Sequence, residues 1–520
     1  MSSNPQTNSW SFAGLKLLTA CIAGALLTFS YAPFDFYFLT IPLLAWVIWC
    51  GWDTTPGEGW KLGFSFGVGW FAAGLSWIYV SIDQFGGLPM LATLGILAAL
   101  YIYLALFPAL AFLLWRWLHQ YTRGAIWVLP LFWLIAELLR GWLFTGFPWL
   151  SLGYSQIDSN LANFAPLIGE VGLSVVLVIM AAAIAAAVAE RRWRLLAVPA
   201  VAFVLAITLG WQQQVQRTGE TVSIALVQGN IAQSLKWDAE QQWPTVLKYL
   251  DLSRPFYNSH ELIIWPESAI TILEPFAGDV LANIDQAAKL SDTALVTGII
   301  DYRRGDDTFY NSLIVLGQQP QASVTDQIAT NYEYLAPNRY QKHQLLPIGE
   351  FVPFEEILRP LAPLFNLPMS SFSRGSFAQE NLQANGYLLT PAICYEIAFP
   401  GQVRENLHSA TNFILTVSND TWFGRSHGPW QHMQIARMRA LELGRPLLRA
   451  TNSGVTGIID EQGRWLASGE QFTEQVVSAQ VPLVTGSTWY HQFGNLGAWL
   501  LAICCALITC FSMVKQRKKQ

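Results

Sequence analysis

A thiol, a phenol and a carboxylate stand together in Pro391-Ala392-Ile393-Cys394-Tyr395-Glu396-Ile397. They close the apolar run Gly386-Tyr387-Leu388-Leu389-Thr390, whose pattern reads as a buried strand. The chain has six cysteines. Cys21, Cys50, Cys504, Cys505 and Cys510 lie in long apolar segments, where cysteine behaves as a small hydrophobe. Cys394 alone lies in polar sequence. A strand-end thiol among ionisable groups is a candidate nucleophile; a buried, inert cysteine is the competing reading. Two further residues supply what thiol chemistry on a carbonyl requires. Glu267, just past Trp265-Pro266, is a candidate base for the thiol proton. Lys342 is a candidate cation for the thiolate and for a tetrahedral oxyanion. Taken singly, Glu267 reads equally well as a solvated turn residue, Lys342 as a surface lysine, and Tyr395 and Glu396 as strand-edge residues.

The elements around these residues alternate. Val222-Ser223-Ile224-Ala225-Leu226-Val227 is a buried-strand pattern after a polar linker at residues 212–221. A helix is expected from Ser234 to about Leu252, with Trp237 in its first turn. A strand over residues 261–265 stops at Pro266, and a helix follows over 280–291. Further strands are expected at 294–300, 312–316, 386–393, 412–419, 446–460 and 475–481, with a helix at 431–443. Strands alternating with helices argue an α/β domain with functional groups at strand ends. Residues 367–377, rich in serine with one glycine, read as a mobile loop and a candidate lid.

The rest of the chain is apolar. Of 520 residues, 52% are hydrophobic and only 12% charged, which excludes an ordinary soluble protein. Eight segments approach the ~20 apolar residues that a membrane helix needs, at 13–31, 36–51, 62–82, 88–115, 125–145, 164–189, 195–211 and 492–514. The first lacks a small-residue cleavage site and reads as a retained helix. Lys61, Arg116 with Arg123, Arg191-Arg192-Arg194 and the tail from Lys515 to Lys519 fall in alternate loops. The positive-inside rule then puts both termini in the cytoplasm and the polar domain on the outer face. An exported domain with one cysteine forms no internal disulfide, which favours a working thiol. Glu137 and Arg140, at i, i+3 in the fifth segment, are expected to pair at the bundle's rim. The aromatic loop at 146–151 is expected to anchor at the membrane interface. The net charge of −5 and the short basic tail exclude a nucleic-acid partner, and no metal-ligand spacing occurs. A transporter with an exported binding domain would place charges along a path through the helices, and few are present.

At these residues the polar domain resembles the nitrilase, or carbon–nitrogen hydrolase, superfamily, which uses a Glu-Lys-Cys triad on an αββα sandwich. The matching pieces are Trp265-Pro266-Glu267-Ser268, Lys342 with Pro347-Ile348-Gly349-Glu350-Phe351-Val352-Pro353, and Ile393-Cys394-Tyr395-Glu396. With eight helices around such a domain, the whole chain resembles the bacterial apolipoprotein N-acyltransferase family. The resemblance implies a polytopic helical membrane domain (residues 1–211), a periplasmic nitrilase-like domain (212–490) and an eighth helix with a basic cytoplasmic tail (491–520), in the inner membrane. It implies Glu267 as base, Lys342 as stabiliser of the tetrahedral intermediate and Cys394 as nucleophile. Glu350 would orient the lysine and the base, and Trp237, Tyr395 and Glu396 would support substrate binding or site shape. It implies a phospholipid acyl donor, the sn-1 chain of phosphatidylethanolamine, and a diacylglyceryl-apolipoprotein acceptor. No cofactor is implied, and a monomer is expected. The alternative is a membrane-tethered amidase or nitrilase that releases its acyl-enzyme to water.

Overall fold

The structure is a computed structural model that describes residues 5–85, 87–212, 214–317, 332–347, 349–351 and 372–517. The chain divides into two units. One comprises Met1–Asp83, Leu88–Gln213 and Trp489–Gln520, and the other Gln214–Thr488 with the short piece Gln84–Gly87.

The first unit is helical. Three of its described helices are long and apolar enough to cross a membrane: Met90–His119, Asn160–Ala189 and Trp193–Gly210. The pair Pro56–Gly74 and Ile78–Gln84, bent by 55°, makes a fourth if it is one span. Gly14–Ser30, Tyr37–Cys50 and Leu496–Phe511 are apolar but shorter. The expected segment at 125–145 is broken into a 3-10 turn, Arg123–Val128, and a twelve-residue helix, Leu129–Arg140. Small residues let these helices touch: a Cβ on Gly69 would stand 2.0 Å from the Cys21 carbonyl oxygen. Only glycine admits a backbone approach this close.

Glu137 and Arg140 do not form the expected rim salt bridge. Both are buried, and both turn to the loop that follows their helix. Arg140 Nη1 donates to the carbonyls of Phe147 (2.9 Å) and Trp149. Glu137 accepts weakly from Ser151 Oγ and the Leu152 N–H, each at 3.4 Å. Buried backbone groups of an irregular loop need partners, and these two side chains supply them. The loop is therefore folded inward. Trp149, expected as an interfacial anchor, is 1% exposed and packs on Trp77 with ring centroids 5.3 Å apart. Trp142 and Phe144 are the exposed aromatics there.

The second unit is a sandwich of two six-stranded sheets. The first sheet contains β1 (Val215–Gln228), β2 (Leu262–Ile264), β3 (Ala294–Arg303), β4 (Thr308–Leu316), β5 (Arg339–Gln341) and β12 (Gln475–Gly486), in the order β12-β1-β2-β3-β4-β5. The second contains β6 (Leu382–Ala384), β7 (Tyr387–Ile393), β8 (Phe413–Ser418), β9 (Leu447–Thr451), β10 (Gly457–Ile459) and β11 (Trp465–Ser468), in the order β11-β10-β9-β8-β7-β6. Strands β1-β2-β3 and β7-β8-β9 run parallel within their sheets. The period-2 pattern of β1 divides its side chains. Val222, Ile224 and Leu226 face the inter-sheet core with Ile393, Leu415 and Leu448. Ala225 and Val227 face outward, in a second core with Val246 of the Gln242–Ser253 helix and Leu281 of the Gly278–Leu290 helix.

Several expectations shift. The linker expected at 212–221 is strand from Val215 on, paired antiparallel with β12 from Val215↔Gly486. Its side chains are mostly exposed, so its composition is polar although its backbone is paired. The helix expected over 234–252 stops after Lys236, and Asp238 caps a new turn by accepting from the Glu240 N–H at 3.0 Å. Strands β6 and β11 and the Pro400–Asn406 helix were too short to carry a period.

One glycine in this fold positions the site directly. A Cβ on Gly298 in β3 would stand 2.4 Å from Ser268 N and 2.8 Å from Glu267 Cα. The segment carrying Glu267 thus lies directly over β3, tied there by Ile270 N–H to the Gly298 carbonyl at 3.2 Å. The Gly298→Ala variant is expected to displace Glu267 and to lose about 1–3 kcal/mol through overpacking. Thermal unfolding measures the second effect and acyl-transfer rate the first. A variant with unchanged melting and unchanged rate would contradict this placement.

Candidate active site

Each sequence-predicted residue of the triad stands at or just beyond a strand end, and the sandwich brings all three together. Glu267 follows β2, Lys342 follows β5, and Cys394 follows β7. Cys394 has φ +53°, a left-handed conformation rarely adopted by a residue with a side chain. It is the pivot between the strand and the 3-10 turn Cys394–Ala398.

Lys342 is 1% exposed. Its Nζ donates to Glu350 at 2.9 and 2.8 Å and lies 3.5 Å from Glu267 Oε1. Burial alone would depress the ammonium pKa, but the Glu350 and Glu267 carboxylates override it and raise it above the ordinary lysine range. Lys342 is therefore a fixed cation. Its backbone is held as well, N–H to the Asn311 carbonyl (2.8 Å) and C=O from the Gly375 N–H (2.9 Å). Glu350 in turn accepts from the Leu346 N–H at 2.8 Å. Of its turn, Ile348, Val352 and Pro353 lie outside the described residues.

Glu267 accepts from the Asn419 N–H at 2.9 Å and from Asn311 Nδ2 at 2.8 Å. The same Asn311 nitrogen reaches Glu350 Oε1 at 3.0 Å, so one amide holds both carboxylates. The Cys394 thiol is pushed up to about 12 by burial first and by the Glu267 charge second, with Lys342 pulling the other way. Ser418 lies within hydrogen-bonding reach of the thiol, and Asp420 adds a further negative charge. A thiol in this state stays protonated until a base removes its proton in the reaction itself.

Glu396 is fully buried and accepts from five groups. They are Tyr340 Oη (3.0 and 3.1 Å), Gln402 Nε2 (3.0 Å) and the backbone N–H groups of His343 (2.7 Å), Gln344 (3.0 Å) and Ile393 (2.7 Å). Burial pushes its carboxyl up against the pull of the N–H donors. Its place is structural, between the segments that carry Lys342 and Cys394. Tyr395 is buried edge-on against Phe399, centroids 5.0 Å apart. Trp237 is partly exposed, with the Lys236 ammonium 5.7 Å above its ring. Residues 367–371 of the expected lid lie outside the described residues. The remainder is tied down, with Ser373 N–H on the Phe309 carbonyl at 2.7 Å and His343 Nδ1 2.8 Å from the Gly375 carbonyl oxygen.

Sequence reasoning missed five participants. Asn311 lies inside β4, where a polar residue gives no signal of its own. Lys236 is buried and donates to the Glu267 carbonyl at 3.0 Å, its pKa lowered to about 8 by burial. Asn419 and Asp420 follow β8, and the strand-end rule that found Cys394 would also have found them. His432 reaches the Cys394 carbonyl from the Gly428–Leu443 helix, which is buried along its whole length despite a polar sequence.

Comparison with known proteins matches both parts of the chain. The carbon–nitrogen hydrolase family model covers residues 223–491, and that of the apolipoprotein N-acyltransferase N-terminal domain covers 23–183. The apolipoprotein N-acyltransferase of Shewanella oneidensis is 45% identical over 98% of this chain and 97% of its own length. That of Vibrio vulnificus is 46% identical over 96% and 97%, and that of Haemophilus influenzae 38% over 96% and 95%. Among solved structures, Saccharomyces cerevisiae Nit3, of the nitrilase superfamily, aligns with 52% of this chain and 92% of its own, at TM-score 0.36 and 14% identity. With a carbon–nitrogen hydrolase domain, the matching N-terminal domain and relatives this similar over full length, the chain belongs to the apolipoprotein N-acyltransferase family.

Proposed function

We propose that the chain transfers a fatty acyl group from a phospholipid, the sn-1 chain of phosphatidylethanolamine, to the α-amine of a diacylglyceryl-modified N-terminal cysteine of a lipoprotein, through a thioester on Cys394. The observation that carries this reading is the convergence of a thiol, a carboxylate and a buried lysine paired with two carboxylates at the strand ends of a carbon–nitrogen hydrolase domain. Glu267 takes the Sγ proton as sulfur attacks the ester carbonyl. Lys342, held by Glu350, faces the charge that develops on the carbonyl oxygen. The tetrahedral intermediate collapses, the C–O bond breaks, and Glu267 returns the proton to the departing lysophospholipid oxygen. The α-amine then attacks the thioester, its proton passes to Glu267, the C–S bond breaks and the thiol is restored. Glu396 positions the loops that carry Lys342 and Cys394, and Tyr395 and Trp237 shape the approach. The ester supplies the driving energy, so no cofactor enters.

In this reading the chain is a monomer in the bacterial inner membrane. Eight spans lie at the segments named from the sequence, both termini are cytoplasmic, and residues 212–490 form the periplasmic catalytic domain. The alternation of basic loops supports that orientation.

Intact-protein mass spectrometry tests the thioester. Incubation with phosphatidylethanolamine alone is expected to add one fatty-acyl mass, labile to hydroxylamine and absent from Cys394→Ala. A diacylglyceryl peptide should discharge it onto the peptide amine. Loss of the adduct to water as fast as to the peptide would establish the tethered hydrolase instead.

A second test reads the thiol. The Glu267→Gln variant removes a charge that pushes the thiol pKa up, so the pH midpoint for alkylation of Cys394 by a haloacetamide is expected to fall. Its acyl transfer should drop by about 10²–10⁴-fold for want of a base. A midpoint that does not move would place Glu267 too far from the thiol to serve it.

A further inference from the structure

Next to Cys394 lies a buried charged cluster whose groups the proposed proton transfers do not use. Asp420 follows β8, Arg449 lies in β9 and His432 in the Gly428–Leu443 helix. All three are buried. Arg449 Nη2 donates to Asp420 Oδ2 at 2.8 Å and to His432 Nδ1 at 2.9 Å. Asp420 Oδ1 also accepts from Ser418 Oγ at 2.6 Å. His432 Nε2 lies 3.0 Å from the Cys394 carbonyl oxygen.

A carbonyl oxygen only accepts, so His432 Nε2 carries a proton and donates it to the Cys394 carbonyl. Nδ1 faces two partners, Arg449 Nη2 at 2.9 Å and Asp420 Oδ1 at 3.2 Å. Burial, and after it the Arg449 charge, hold the imidazole pKa below its usual value, against the pull of Asp420. Asp420, although buried, is held well below the usual carboxylate range by Arg449 and His432. The cluster is not built for stability alone. Arg449 Nε and Nη1 have no hydrogen-bond partner among the described residues, and buried donors left unpaired oppose stability.

Its outlet is the backbone of the nucleophile. The left-handed conformation of Cys394 is strained and persists only when its surroundings enforce it. Glu396 holds the N–H of Ile393, the residue before it, and His432 holds the carbonyl of Cys394 itself. A trans peptide is planar, so fixing the Cys394 carbonyl also fixes the opposite direction for the Tyr395 N–H.

We propose that Asp420, Arg449 and His432 form a positioning relay that holds the Cys394 carbonyl and so sets the orientation of the nucleophile and of the peptide that follows it. The proposal rests on Cys394 being the nucleophile. His432 touches no reacting atom and acts through the backbone.

The test uses the full-length enzyme with His432→Phe, which removes the donor, and His432→Gln, whose amide nitrogen can replace it. Acyl transfer and haloacetamide alkylation of Cys394 are both measured, with thermal melting as a check on folding. The Phe variant is expected to lose kcat on the order of 10²-fold with KM unchanged, the scale for a misplaced reacting group. The Gln variant should recover most of that loss. Full kcat in a folded Phe variant, or a folded Gln variant as impaired as Phe, would overturn the relay. Alkylation does not depend on the acyl donor. If the wild type forms no acyl adduct, the nucleophile reading fails, while an alkylation rate changed in Phe and restored in Gln would still support the relay. Alkylation rates alike in all three would refute it.

Discussion

The site depends first on the carboxylate of Glu396. It binds both sheets at the end where Glu267, Lys342 and Cys394 stand. Tyr340 belongs to β5 of the first sheet, and Ile393 ends β7 of the second. The His343 and Gln344 N–H groups extend the same grip to the turn after Lys342. A buried carboxylate with five donors is a strong, directional tie, since each charge-assisted bond exceeds a neutral one. It is also an unforgiving one, because removing the acceptor would strand five buried donors at once. The distance between the lysine and the thiol is thus set by a group that takes no part in proton transfer.

Around that tie the charges sort into those that are compensated and those that press on the thiol. Lys342 has two carboxylates, and its ammonium is locked in the charged form. It cannot act as a base, and the proposed reaction gives that role to Glu267. The thiol feels burial, Glu267 and Asp420 together, and they outweigh Lys342. A resting thiolate is therefore disfavoured. In the proposed reaction sulfur becomes nucleophilic only as its proton leaves, with substrate in place, and a thiol kept protonated resists adventitious oxidation.

Much of this was legible in the sequence, for a definite reason. Glu267 and Cys394 each follow a short apolar strand of a parallel set, and such a set collects its functional residues at one end. Lys342 follows the polar strand Arg339–Gln341, antiparallel to β4, and was legible only through the motif around it. Cys394 was conspicuous because the other five cysteines lie in apolar segments. The supporting network was not legible. Asn311 sits within β4, and its two carboxylate partners are 44 and 39 residues away in sequence. The Gly428–Leu443 helix is rich in polar residues, yet Gln431, His432, Arg437 and Arg439 are all buried. Hydrophobic periodicity reports contact with apolar neighbours and is silent when a polar helix is buried by hydrogen bonding. In the helical unit the same limit reversed the reading of Trp149. An aromatic loop looks like an interfacial anchor unless one knows that Arg140 and Glu137 fold it inward.

The choice between transfer and hydrolysis then turns on the chemistry of the acceptor, because a Glu-Lys-Cys site serves either. A thioester at such a site is attacked by whatever neutral nucleophile reaches it with a base nearby. An N-terminal α-amine has a pKa near 8, against about 10.4 for a lysine side chain. At pH 7 roughly one α-amine in ten is neutral, but fewer than about one lysine amine in a thousand. The neutral α-amine is a far better nucleophile than water and needs only to shed its proton after attack, which suits a weak base such as Glu267. In the proposed reaction, preference for an N-terminus over a lysine side chain thus begins in the acceptor's own acidity. The site has to bring the amine to the thioester but does not have to deprotonate it beforehand.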